Sequence, residues 1–211
     1  PMAARTLGNL GISALPEADL QHIKSAVQGM PARLLRADHT GHNGYELQAA
    51  VSDIVPIWKL LREQSQVTPV GLTALNMLRI EAGIPWYGID MDENRIVLEV
   101  GLPHCISYAK GYYLGQEVVE RASARGRVNR TLAGLLLDGS GYQDLPKQGE
   151  KLFRDDKEVG WLTSVTTSPS LGQPIALGYV RREHSQPGTQ LRIDSAGEGM
   201  IAQVTGLPFL R

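Results

Sequence analysis

Apolar and polar positions along the chain fall into two textures that meet near residue 130. Before it, helical and strand periods alternate. Pro16–Gln28 predict a helix: Pro16 suits a first turn, Glu17 and Asp19 sit near the positive end, and Leu20, Ile23 and Val27 share a face before Gly29. Ala32–Ala37 reads as a strand, His39–Gly44 as a turn and Tyr45–Ala49 as the returning strand. Ser52 is a candidate N-cap for a helix whose broad apolar stripe holds Ile54, Val55, Ile57, Trp58, Leu60 and Leu61, and residues 70–82 predict a helix ending near Gly83. Helices alternating with short strands indicate an α+β layer with helices packed on an antiparallel sheet.

After residue 130 the pattern changes to short apolar runs: Leu132–Leu137, Lys151–Arg154, Val159–Thr166, Ile175–Val180, Gln190–Ile193 and Met200–Thr205. Turn residues separate them, at Asp138–Gly141, Asp155-Asp156, Ser168–Ser170, Pro187-Gly188 and Ala196-Gly197. This spacing predicts a small closed β-barrel with a boundary at 128–131.

Composition narrows the function classes. The chain has 211 residues, 42% of them hydrophobic and 20% charged, and a formal net charge of −1. That is ordinary for a folded soluble protein of one large or two small domains. Near-neutral charge argues against a dedicated nucleic-acid binder, and no apolar run approaches the roughly 20 residues of a membrane span. With one cysteine, Cys105, neither an internal disulfide nor a multi-thiolate metal site can form, so a cytoplasmic, reducing setting is expected. Cys105 beside Ile106 reads as a small buried apolar residue. His39, His42 and His104 are too scattered for a metal site, and none is expected. Trp58 and Trp161 read as packing residues, whereas Trp86 and Tyr87 are candidates to face a ligand ring.

The densest chemistry lies in residues 110–130. Lys110-Gly111-Tyr112-Tyr113-Leu114-Gly115-Gln116-Glu117 runs into a helix carrying Val118, Val119 and Arg121. Gly111 and Gly115 permit close backbone approach. Lys110, Arg121, Arg125, Arg127 and Arg130 form a basic cluster. It reads either as a solvated helix face with a basic linker or as a site for an anionic group, since arginine presents paired donors to carboxylates.

This segment resembles the Lys-Gly-Cys-Tyr-x-Gly-Gln-Glu signature of the YgfZ-type folate-binding proteins, relatives of the glycine-cleavage aminomethyltransferase (T-protein). The resemblance spans nearly the whole chain. Leu78–Pro85 with Gly88-Ile89-Asp90 resembles the Leu-Arg-Leu-Glu-Ala-Gly stretch and its Gly-x-Asp sequel, and Glu99–Leu102 resembles Glu-Ala-Gly-Leu. Thr40–Glu46 stands where the family has Thr-Gly-Glu-x-Gly-Phe-Glu. Val159–Ser164, Ser168-Pro169, Ile175–Val180, Gly188-Thr189 and Leu207–Phe209 follow the family's C-terminal barrel in order.

The resemblance implies a three-lobed ring around a pocket for tetrahydrofolate or a one-carbon derivative. Residues 1–30 would be a remnant of the first lobe, 31–94 the α+β second lobe, 95–128 a segment returning to the first lobe, and 129–211 the barrel. Within the family, a Gly-Pro-x-Ala opening starts a helix of the first lobe, which implies a helix at 1–10. The catalytic Asp would lie on a strand upstream of Pro1, so the catalytic residue is unknown here. Either the sequence is part of a longer protein, favoured because that helix would otherwise lose its packing partner, or it is a reduced member. The ligand-binding candidates are Arg79, His42, Tyr87, Lys110, Tyr112, Gln116, Arg121 and Arg125. Two depart from the pattern. His42 replaces an acid, exchanging a two-oxygen acceptor for one donor and one acceptor. Tyr112 replaces the signature Cys, which removes thiol-dependent chemistry from that position.

Three functions follow as expectations. The first is a YgfZ-type tetrahydrofolate binder supporting iron–sulfur proteins. The second is an aminomethyltransferase that passes a one-carbon unit from a lipoyl carrier protein to tetrahydrofolate. The third is a non-catalytic interaction module with a vestigial pocket.

Overall fold

A computed structural model describes residues 2–64, 67–124, 128–139, 145–194 and 199–210. The chain forms two compact units, Pro1–Leu75 and Asn76–Arg211.

The first unit combines a helix, a three-stranded sheet and a second helix. Helix α1 (Met2–Asn9) is followed by strands β1 (His22–Val27), β2 (Met30–Arg36) and β3 (Tyr45–Ala49), then helix α2 (Val51–Gln64). The sheet is antiparallel in the order β1-β2-β3.

The helix predicted over Pro16–Gln28 is therefore a bend followed by a strand. Ile23 and Val27 lie four residues apart, a spacing that suits a helical face and a strand face equally. Pairing settles the choice: Val27 lies opposite Met30, leaving a two-residue turn. Its residues Gln28 (φ 47°) and Gly29 (φ 88°) both have the positive φ of a type I′ hairpin. Leu20, the third residue of the supposed face, is exposed and also has positive φ.

Leu7, Leu10, Ile12, Val27, Leu34 and Ile57 form the core of this unit. Leu7 of helix α1 packs in this core. Each fully buried aliphatic side chain contributes about 1.5–3 kcal/mol. Ser52 lies inside the first turn of α2, and the first turn instead closes on the Ala50 carbonyl. Of the predicted stripe on α2 only Ile57 is fully buried, whereas Val55 and Trp58 are more than half exposed.

The second unit holds the end of helix α3 (Leu72–Glu81), the short helix α4 (Val97–Val100), helix α5 (Gln116–Ala124) and a closed barrel. The barrel strands are β4 (Arg130–Leu137), β5 (Lys151–Arg154), β6 (Lys157–Ser168), β7 (Gln173–Arg181), β8 (Gln190–Ile193) and β9 (Met200–Thr205). All neighbours are antiparallel in the order β4-β7-β6-β5-β8-β9, and β9 closes on β4. The predicted breaks at Ser140-Gly141 and Ala196-Gly197 lie outside the described residues.

Strands β4 and β7 bury both faces, which is why they read as nearly continuous apolar runs, whereas β6 buries both faces with Thr163, Ser164, Thr166 and Thr167 among its apolar residues. Inside, Leu135, Leu152, Leu162, Val180 and Ile193 fill the barrel. Outside, Leu132, Ile175, Leu177 and Tyr179 pack with Ile80 and Val100 of the helices. Gly160 is required where β6 meets β7: a Cβ there would stand 2.0 Å from the Tyr179 carbonyl oxygen.

Candidate functional site

A buried polar knot joins α3, the loop after it and strand β6. Arg79, on the last turn of α3, is only 1% exposed. Its Nε and Nη2 both donate to Asn76 Oδ1 (2.9 and 2.8 Å), and Nη1 donates to the Ile84 carbonyl (3.2 Å). Nη1 also donates to Asp90 Oδ2, and Nη2 donates to Ser164 Oγ at 2.6 Å. A guanidinium has five N–H donors, so every one is engaged within the protein. The group also lies 4.8 Å from the Trp86 ring centroid. Burial pulls the Arg79 pKa below its ordinary value, and the Asp90 carboxylate opposes that shift.

Asp90 is 2% exposed and accepts from four sources. Besides Arg79, the Trp86 N–H donates to Oδ2 (2.9 Å), while Thr163 Oγ1 (2.5 Å) and Ser164 Oγ (2.6 Å) donate to Oδ1. The register of β6 against β7 shifts between Leu162 and Ser164, leaving Thr163 without a cross-strand partner. Such a bulge re-aims side chains, and here two successive hydroxyls reach one carboxylate. Tyr179 Oη donates to the Asp90 carbonyl (2.9 Å), and burial raises the phenol's pKa. Glu81, next along α3 but one, accepts from Ser168 Oγ, from the Ser170 N–H (3.0 Å) and from Ser170 Oγ (3.1 Å).

The knot holds the Trp86–Asp92 turn against the barrel. Beside it is a cleft of about 100 Å³ lined by Asp90, Arg95, Trp161 and Tyr179, well below the usual few hundred Å³ of a small-molecule site. Among the described residues, two larger cavities lie elsewhere. One, of about 480 Å³ in the first unit, is apolar and lined by Leu7, Leu34, Tyr45, Leu47 and Leu61 among others. The other, of about 700 Å³ on the barrel, is lined by Val128, Asn129, Arg130, Arg181, Arg182 and Glu183.

Both halves of the chain match known family models. Residues 1–110 match the GCVT N-terminal domain, and residues 130–210 match the glycine cleavage T-protein C-terminal barrel domain. The chain belongs to the glycine cleavage T-protein family.

Aminomethyltransferases are among the relatives of this T-protein family chain. That of Streptomyces avermitilis is 32% identical over 95% of the chain and 56% of its own length. That of Nostoc sp. is 35% identical over 90% of the chain and 50% of its own length. The fold matches the crystal structure of glycine cleavage system aminomethyltransferase T from Bartonella henselae, with a TM-score of 0.87 at 23% identity over 98% of the chain and 56% of that protein. The chain spans about half the length of the curated relatives it matches.

The residues singled out from the sequence are spread over both units. His42 is exposed in the first unit, in a turn where Asp38 Oδ1 accepts from the Thr40 and His42 N–H groups (both 2.9 Å). In the second unit, Tyr87 is 65% exposed and donates to Glu93 Oε1. That bond raises the Tyr87 pKa and lowers that of Glu93.

Lys110, Tyr112 and Arg121 are exposed, with Lys110 Nζ 5.1 Å from the Tyr113 ring centroid. Gln116 Oε1 accepts from the Tyr113 N–H (3.3 Å), and its Nε2 donates to Glu120 (2.7 Å). Arg125 and Arg127 lie outside the described residues. Gly115 has positive φ (89°), but open space surrounds it and Gly111, so neither marks a close approach. Cys105 is exposed rather than buried.

The sequence reading missed Asn76, Thr163 and Ser164, and took Asp90 only as part of a motif. A two-residue hydroxyl step at a bulge leaves no periodic signal. The one available clue was an Arg and an Asp flanking a Gly-rich turn, both too close to apolar runs to be solvated. Among the described residues, no group of three or more His, Cys, Asp or Glu side chains is arranged to hold a metal ion, and no helix is long and apolar enough to cross a membrane.

Proposed function

We propose that this chain is the folate-holding portion of an aminomethyltransferase-type protein, with tetrahydrofolate as its small-molecule partner and a lipoyl carrier as its protein partner. The observation that supports this most is the likeness to aminomethyltransferases over 95% of the chain, across both units. In this reaction the aminomethyl carbon on a lipoyl sulfur would form new bonds to N5 and N10 of tetrahydrofolate, while its C–S bond breaks to leave the lipoyl thiol and its C–N bond breaks to release ammonia. No residue of this chain is assigned to that proton chemistry.

In this reading Arg79 is a positioning residue. With all its donors engaged it holds the Trp86–Asp92 turn, and the exposed Tyr87, Lys110, Tyr112 and Arg121 are the side chains offered to a ligand. His42 would meet a polar ligand edge with one donor and one acceptor. The test is titration of the full-length protein with tetrahydrofolate, followed by tryptophan fluorescence and by methylene transfer from an aminomethyl-lipoyl carrier. Saturable binding with transfer is expected; no saturable change removes the reading.

A YgfZ-type role in upkeep of iron–sulfur proteins is the second reading, favoured by Lys110-Gly111-Tyr112-Tyr113-Leu114-Gly115-Gln116-Glu117. Saturable binding without transfer would select it.

A further inference from the structure

We infer that the arginine-lined cavity on the barrel is a binding site for a compact, multiply charged oxyanion, either a phosphate group or a small polycarboxylate. This goes beyond the folate reading and does not depend on it.

The site is built by strand register. Arg130, the first residue of β4, lies directly opposite Arg181, the last of β7. Side chains so placed have Cβ atoms about 5 Å apart on one face of the sheet, and like charges there repel. Arg182 is tied to the same place, because its N–H donates to the Asn129 carbonyl at 3.1 Å. The cavity of about 700 Å³ is lined by these three arginines and one acid, Glu183, which is turned toward His184 Nε2 at 3.6 Å. Among the described residues, no carboxylate lies within ion-pair distance of Arg130 or Arg181.

Arg130 is also held in place. Its guanidinium lies 5.1 Å from the Trp161 ring centroid, and that ring in turn stacks on Tyr179, with centroids 5.1 Å apart. Stacking uses the flat face of a guanidinium and leaves its edge donors directed outward. Arg95, 4.8 Å from the same indole, and Lys151, at 5.9 Å, add positive charge beside the site, Lys151 being paired with Glu158 at 3.0 Å. Two opposed arginines, one pre-set by an aromatic platform, suit an oxyanion that bridges them with paired N–H···O bonds.

The probes are inorganic phosphate and citrate, titrated separately into the full-length protein by calorimetry at fixed ionic strength, with chloride as the monovalent control. Saturable binding of at least one probe, weakening as salt rises, is expected. Arg181→Ala should weaken it at least tenfold and Arg181→Lys by less, and neither touches the polar knot around Asp90. Trp161→Phe should retain binding while removing any accompanying change in tryptophan emission, which places the anion at this ring. Phosphate binding alone assigns a phosphate group; citrate binding alone, a polycarboxylate. Absence of saturable binding by both probes, or affinity unchanged in Arg181→Ala, overturns the site. Tetrahydrofolate binding with neither probe bound would leave the folate reading standing and remove this one.

Discussion

The two units are stabilised in different ways. Among the described residues of the first, every buried side chain is apolar: Leu7, Leu10, Ile12, Pro16, Val27, Leu34, Ala37 and Ile57. In the second, Arg79, Glu81, Asp90, Thr163, Ser164 and Ser168 are as buried as the leucines around them. An apolar core tolerates small shifts, because dispersion and burial are non-directional. A buried carboxylate that accepts four hydrogen bonds does not, because each missing donor leaves a charge out of water without compensation. The second unit thus fixes the Trp86–Asp92 turn by direction, whereas the first holds its sheet by volume.

The largest effect should come from breaking the directional side. Asp90→Ala strands the Arg79 guanidinium and should cost about 3–5 kcal/mol, read as a lower urea midpoint. Replacing both partners, Arg79→Met with Asp90→Leu, should recover much of that loss; equal losses in the single and double variants would contradict the contrast. Next is the volumetric side. Leu34→Ala empties a fully buried site and should cost about 2–5 kcal/mol in the same measurement, with no change near the barrel tryptophan. Glu81→Gln should cost about 1–3 kcal/mol, since Ser168 and Ser170 keep a weaker acceptor. Gly29→Ala, at φ 88° in the hairpin turn, should cost about 1 kcal/mol.

The smallest effect is a pH dependence at Tyr87. Its hydroxyl holds the Glu93 pKa below the ordinary carboxylate value. The bond therefore contributes fully above that ordinary value and is lost as pH falls through the depressed one. Tyr87→Phe should therefore lower stability slightly at neutral pH, leave it unchanged below the depressed value and so flatten the acid-side slope, as acid titration followed by circular dichroism would show.

The same contrast explains what was legible in the sequence. Six barrel strands were readable because β4 and β7 are apolar on both faces and end at turn residues. Helices α2, α3 and α5 showed their periods. Strand β1 did not, because Ile23 and Val27 satisfy two periods and only the hairpin at Gln28-Gly29 chooses between them. At the candidate site, motif matching found Arg79 but not its engagement. Its partners Asn76, Asp90 and Ser164 come from three separate stretches, and a hydrogen-bond count is a property of the folded chain. Exposed residues such as Tyr112 and Tyr87 were recognisable as chemistry but carry no signal for what stands opposite them.

Asp90 also bears on the order of folding. Its donors lie 11 residues away at Arg79 and 73 and 74 residues away at Thr163 and Ser164, and Arg79 and Ser164 themselves are separated by 85. Closing such long loops requires the barrel strand to be in register first. A carboxylate satisfied only after the rate-limiting barrier has a kinetic signature: loosening it should speed unfolding and leave the refolding rate nearly untouched, which refolding and unfolding rates of Asp90→Asn would test. One aspartate then acts as a latch on the lifetime of the native state rather than as a guide to reaching it.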